Sequence, residues 1–222
     1  MSEQFRYLLS RHVGSSFAKQ LAFADFLGER SWGVDISEGT ALFGDELSFP
    51  IQLLGTEADG DLSWLWAWAN TQINLPQDLL VSCNDMKQLG LDNEIMELTE
   101  RSFSQNVADG HMIAMVASGL NQNCCYYRGP YEGGALYFLV CDIPDTLRVP
   151  VTPEQAITVI NQSISQFDID HQVMVTEFLQ QQLFSVTTER NIVRASRDNS
   201  DVTLSFDSQG CIEKIGGSLT QA

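Results

Sequence analysis

Trp64-Leu65-Trp66-Ala67-Trp68-Ala69-Asn70 holds three of the chain's four tryptophans at every second position, and Leu62 extends the series backwards. This alternation is the pattern of a strand, with Leu62, Trp64, Trp66 and Trp68 on one face and Ser63, Leu65, Ala67 and Ala69 on the other. One face is bulky and aromatic. The other is small enough for a helix to approach closely. Upstream, Leu47, Phe49, Ile51 and Leu53 alternate with Ser48, Pro50 and Gln52, a second half-buried strand. Pro50 lacks a ladder N–H, so that strand lies at an edge or turns Pro50 away from its neighbour. Residues 55–61 (Gly-Thr-Glu-Ala-Asp-Gly-Asp) read as an acidic hairpin loop between the two. With shorter strands at 32–36 and 40–43, residues 31–69 form an antiparallel meander whose last, central strand is the tryptophan strand.

Helices flank this meander. Phe5, Leu9, Val13, Phe17 and Leu21 recur at four-residue steps, which predicts a long helix over 5–29 with a weak middle at Gly14-Ser15-Ser16 and a stop at Gly28. Pro76 opens a second helix, striped by Leu79, Leu80, Cys83, Met86 and Leu89 and capped by Gly90. Residues 91–106 are a connector with a short helix at most, and 107–119 a buried helix rich in small residues. Residues 124–128 and 135–141 form a hairpin around the tip Gly129-Pro130-Tyr131-Glu132-Gly133-Gly134. Its second strand is apolar throughout and therefore buried on both faces. After a linker at 144–150, Thr152-Pro153-Glu154-Gln155 starts a helix with a capping box. Asp168 or Asp170 restarts a helix to about residue 182, and strands at 183–188, 191–196, 201–206 and 211–215 finish the chain.

The expected fold class is α+β, with antiparallel sheet covered by helices on one side. A helix-plus-meander part spans 1–149 and a smaller part 150–217, an αβββ-type pseudo-repeat in plan, with 218–222 a loose tail. Whether the second part shares the first sheet stays open at this point.

The 222 residues carry a formal net charge of -17, with a pI near 4.3. An acidic surface repels phosphate backbones and anionic membranes, so neither nucleic acid nor membrane is an expected partner. It favours basic partners, although the same charge also simply keeps a protein soluble. Cys83, Cys124, Cys125, Cys141 and Cys211 include no C-x-x-C pair and no zinc spacing, and the first residues lack a secretory pattern. A reduced, cytoplasmic protein is expected, its cysteines acting as small hydrophobes. Cys124-Cys125 is a vicinal pair whose side chains alternate to opposite faces of a strand.

The segment from Phe49 to Thr56, the tryptophan stretch and Tyr127-Arg128-Gly129-Pro130-Tyr131 resemble a group of uncharacterised bacterial proteins sharing a domain of unknown function. The resemblance covers roughly the first two-thirds of the chain. It implies a bacterial cytoplasmic protein, and no reaction, cofactor or catalytic residue comes with it.

No phosphate loop, dinucleotide fingerprint, G-x-S-x-G or H-E-x-x-H occurs, and no cofactor is expected. His12, His111 and His171 are far apart in the chain, and Glu57-x-Asp59-x-Asp61 lacks the glycine and distal glutamate of a calcium loop. Four features compete with blander readings. The Trp64, Trp66 and Trp68 face is either core or a ligand or partner surface. Tyr127, Arg128, Tyr131 and Glu132 place a cation among aromatics, for an anion or for holding the loop. Arg190, Arg194 and Arg197 form a local anion site or a solvated face paired with acids. His111, near Asp109 at a helix start, is an acid–base candidate or a structural histidine. Two functions follow. One is a non-catalytic binding protein, for instance an acidic inhibitor or immunity-type partner of a basic protein. The other is a small-molecule-binding or hydrolytic protein with an aromatic pocket between sheet and helices.

Overall fold

Ser2 opens the first helix by accepting the Phe5 N–H, and α1 runs over Glu3–Leu27 without a break. The glycine at its middle serves contact rather than bending. A Cβ on Gly14 would lie 2.7 Å from Phe178 Cγ, so glycine lets a later helix touch the backbone. Far along the chain, buried Glu97 accepts from both the Ser2 N–H and its hydroxyl, tying the start of α1 to the segment read as a connector. The computed structural model describes residues 1–218.

Strands β1 (Trp32–Asp35), β2 (Thr40–Phe43), β3 (Leu47–Ala58) and β4 (Ser63–Trp66) follow as an antiparallel meander. The organising strand is β3, not the tryptophan strand. β3 pairs with β2 along its first half, and with β4 and the later β7 (Gly134–Val140) along its second. With both neighbours in place, Thr56-Glu57-Ala58 stay in the ladder. The expected loop at 55–61 therefore shrinks to a turn after Ala58. Pro50 sits inside β3, opposite Thr40 of β2. Its carbonyl accepts the Cys141 N–H just beyond β7.

The tryptophan strand is also shorter than expected. β4 ends at Trp66, and Ala67–Ala69 form a turn of 3₁₀ helix. Leu62 lies before the strand at positive φ and is exposed. Trp64 and Trp66 share a buried face, but Trp68 leaves it and is only partly buried. β4 also gains β5 (Ser102–Ser104), which pairs with it from the former connector.

A register shift between Leu53 and Gly55 is the most consequential feature of the sheet. Leu53 faces Phe138 across β3 and β7, whereas Gly55 faces Tyr137. Directly opposed residues of antiparallel strands share a face. Leu54 is thus the extra residue of a bulge, and beyond it β3 presents its odd-numbered side chains to the other face. Phe49, Ile51 and Leu53 point toward α1, whose Phe23 and Phe26 meet Phe43 and Phe49. Gly55 and Glu57 point to the opposite face. Helices therefore meet both faces of this sheet, not one side.

On that second face lie α2 (Val81–Asn93), α3 (Met96–Thr99) and α4 (Gly110–Leu120). α2 passes the expected Gly90 stop and closes at Glu94 in the left-handed conformation, because Gly90 packs under Leu98. The hairpin β6 (Cys125–Tyr131) and β7 is longer than expected. Gly129, Pro130 and Tyr131 pair with Leu136, Ala135 and Gly134, so the tip is only Glu132-Gly133 and Arg128 stands within the strand. β7 is buried on both faces, as its composition predicts.

Helices α5 (Pro153–Gln166, with the Thr152–Gln155 capping box) and α6 (His171–Gln181, capped by Asp170) pack on α1. They lead into a separate four-stranded antiparallel sheet, β8 (Ser185–Glu189), β9 (Ile192–Arg197), β10 (Ser200–Phe206) and β11 (Ile212–Ser218). β11 carries on through Gly216, Gly217 and Ser218, because Asp201, Val202 and Thr203 of β10 pair with them. The rest of the expected loose tail lies outside the described residues. The fold is thus α+β, with antiparallel sheets of seven and four strands.

Candidate functional site

The bulge in β3 and the start of α4 bring together residues that sequence spacing keeps apart. Glu57 is buried on the face shared with Trp64 and Tyr137. Its Oε1 accepts the Gly110 N–H at 2.7 Å, the first residue of α4, and its Oε2 accepts the Tyr137 hydroxyl at 2.8 Å. The helix N-terminus, with its unpaired N–H groups and positive dipole end, suits a buried carboxylate. Gly110 is required here by space, since a Cβ would lie 2.5 Å from the Tyr137 ring.

Tyr137 in turn accepts from Arg128 Nε at 3.1 Å, and that nitrogen lies 3.8 Å from Glu57 Oε2. Arg128 is the open member of the network, its side chain 38% exposed against 9% for Glu57. Its two terminal nitrogens make no hydrogen bond to the described residues. Burial first, then the hydrogen bond to the Glu57 carboxylate, pushes the Tyr137 phenol far above its ordinary range.

His111 stands edge-on to Tyr137, ring centroids 5.4 Å apart, and its Nδ1 shares a 3.0 Å hydrogen bond with buried Tyr126. Desolvation of the packed ring holds its imidazole below the usual histidine range, against the pull of Asp109 and Glu57, although the residue as a whole stays exposed. Tyr131 reaches the same edge, its hydroxyl 3.5 Å from the Glu57 carbonyl. Arg128, Tyr131, His111 and the buried Glu57–Tyr137 pair thus form one cluster. The groups present are a cation, an imidazole, phenols and a carboxylate. No serine, threonine or cysteine among the described residues hydrogen-bonds to His111.

The other sequence candidates disperse. Tyr127 is on the opposite sheet face, against Trp32 and Phe43, and Glu132 is exposed at the tip. Trp64 and Trp66 are fully buried; Trp66 Nε1 donates to the Glu97 carbonyl at 3.0 Å. Trp68 lies under Lys87, whose Nζ is 3.9 Å from its ring centroid. Arg194 pairs with Glu189, while Arg197 donates to the carbonyls of Gln182 and Val151, so the basic run makes no common site. Glu57 and Tyr137 are the residues sequence reasoning missed. The alternation from Phe49 breaks at Leu54-Gly55, and the glycine and aspartates that follow Glu57 make it read as part of a loop.

A cleft of about 740 Å³ opens at the other end of α4. It lies between α1, the 146–151 linker and α5, and is lined by His12, Lys19, Gln122, Leu147, Val151 and Gln155 among others. None of Trp64, Trp66, Trp68, Arg128 or Tyr131 lines it.

A model of a family of unknown function, DUF6882, matches residues 6–143. The chain belongs to that family. The match runs from Arg6 in the first turn of α1 through the β6–β7 hairpin and includes every residue of the Glu57 cluster, while α5, α6 and the second sheet lie beyond it. No curated protein and no solved structure matches the chain. No helix among the described residues is long and apolar enough to cross a membrane, and no group of three or more histidines, cysteines and carboxylates among them is placed to hold a metal.

Proposed function

We propose that this protein acts by binding rather than by catalysis, and that the Arg128 edge of the DUF6882 region is its contact point. The observation that carries this reading is the state of Arg128. Its Nε is fixed by the buried Tyr137–Glu57 pair, while its terminal N–H groups meet no acceptor among the described residues. A pre-set guanidinium fork matches a carboxylate in two parallel hydrogen bonds. His111 and Tyr131 flank it with further polar groups. The net charge of -17 opposes anions at long range, which suits a ligand presenting a single carboxylate at contact distance. A cytoplasmic location belongs to the same reading, supported by five cysteines without a disulfide.

Amide chemical shifts report on this directly. Titrating sodium acetate at constant ionic strength is expected to give saturable shifts at residues 111, 128 and 131, lost in Arg128→Gln. Shifts that are linear, or unchanged in the variant, overturn the reading.

A second reading rests on charge. The excess of 29 acidic over 12 basic residues fits capture of a basic protein. Pull-down from native lysate at low and then high salt is its test, and no stoichiometric partner at either salt sinks it.

A further inference from the structure

We propose that Cys124 and Cys141 are a redox-active pair that a hydroperoxide closes into a disulfide. The two residues are 17 positions apart, at the open end of the β6–β7 hairpin. Cys125 pairs with Val140, so one step further along the ladder Cys124 and Cys141 face each other. Their sulfurs are 2.9 Å apart, in hydrogen-bond contact, and both thiols are free. A covalent bridge needs about 2.05 Å between the sulfurs. Directly opposed strand residues already hold their Cβ atoms close, so closure calls for side-chain rotation rather than a new fold.

The surroundings favour reaction at this pair over the other cysteines. Lys19 Nζ donates to the carbonyl of Cys124 at 2.8 Å and to those of Ser118 and Asn121, which sets a buried ammonium beside the Cys124 thiol. The contact with the Cys141 sulfur holds the Cys124 thiol below its ordinary range, and Lys19 acts in the same direction, against the burial of the group and the charge of Asp142. Cys141 is partly exposed, which gives solvent access to the pair. Cys83 and Cys125 differ. Burial pushes their thiols up to about 11 and about 12, and both are fully covered.

The chemistry balances in two steps. The Cys124 thiolate attacks the terminal peroxide oxygen, the O–O bond breaks, and the alkoxide or hydroxide leaves as alcohol or water on taking a proton, leaving a sulfenic acid. The Cys141 sulfur then attacks Cys124, losing its proton as the S–O bond breaks and water leaves. Two thiols are oxidised by two electrons and one hydroperoxide is reduced. A dithiol reverses the change. The bridge would lock the segment from Asn121 to Cys124, where Lys19 is anchored on the wall of the cleft, to the strand end that leads into the 146–151 linker.

The test uses the full chain, with equimolar hydrogen peroxide, alkylation under denaturing conditions and peptide mapping. A Cys124–Cys141 cross-linked peptide is expected as the major product, reversed by dithiothreitol, with Cys83 and Cys125 still alkylated. A Cys141→Ser variant, which keeps the volume and a donor, is expected to leave Cys124 as a trapped sulfenic or over-oxidised acid. Oxidation confined to exposed Cys211, over-oxidation without a cross-link in the unmutated chain, or a bridge between other pairs overturns the proposal. A Cys211→Ser background removes scrambling through the surface thiol without touching the pair.

Discussion

The two ends of α4 hold opposite charges, and the chain supplies each from far away in sequence. At the N-terminus, Glu57 from β3 accepts the Gly110 N–H; at the C-terminus, Lys19 from α1 donates to the carbonyls of Ser118, Asn121 and Cys124. Both match the helix dipole, which favours an anion at the start and a cation at the end. The ends differ in what lies beyond. Glu57 spends its second oxygen on Tyr137 and thereby positions a partly exposed arginine with donors to spare. Lys19, in the wall of the cleft, spends its donors on three carbonyls, with the Cys124 thiol nearby. The same electrostatic device supports a partly exposed arginine at one end and, at the other, an ammonium committed to backbone carbonyls.

Removing the two charges tests that contrast. Glu57→Ala strands the buried Gly110 N–H and Tyr137 hydroxyl and breaks the support of Arg128. A loss of about 3–5 kcal/mol in urea unfolding is expected. Glu57→Gln, which keeps an acceptor, should lose clearly less. Equal losses would show that the carboxylate charge is irrelevant at the N-terminal end.

Lys19→Met leaves carbonyls at the helix end unpaired but preserves the apolar stem. Its expected cost is about 2 kcal/mol, smaller because terminal carbonyls beside the cleft can take water. A loss exceeding that of Glu57→Ala would reverse the ranking of the two ends.

The smallest expected effect is one of pH. His12 touches the C-terminal end of α4, where a Cβ on Gly119 would meet its ring, and its pKa is lowered to about 4 by burial and then by Arg11. Between that value and the unfolded value near 6.5, the unfolded chain binds more protons. Stability therefore falls as pH drops through this window, by about 1–2 kcal/mol after screening. His12→Gln should flatten this acid limb, leaving the shallower slope of His111 and His171, whose values are displaced the same way. An unchanged limb in the variant would place the titration elsewhere.

Periodicity located nearly every element, because a helix stripe and a strand alternation are local properties. α1, the Thr152 capping box, a helix start at Asp168 or Asp170 (Asp170 in the structure) and the twice-covered β7 all read directly from residue type and spacing. The boundaries that failed did so where a neighbour decided. β3 runs on through Glu57 because β4 and β7 flank it, β4 stops at Trp66 despite the alternation through Trp68, and α2 passes Gly90 because Leu98 covers that glycine. Of the site, Arg128, Tyr131 and His111 were visible as candidates, but nothing local joined them.

By itself, the sequence determined an α+β chain with an aromatic core and a strong excess of acidic residues, since these depend on composition and on the short-range geometry of helix and strand. Only the tertiary structure decided which face each residue serves. One extra residue at Leu54 turns Glu57 from the expected acidic loop into a buried partner of Gly110, Tyr137 and Arg128. Hairpin register likewise sets Cys124 against Cys141. A strand's pleat inverts with every residue inserted, so a bulge carries information that no count of alternating residues contains.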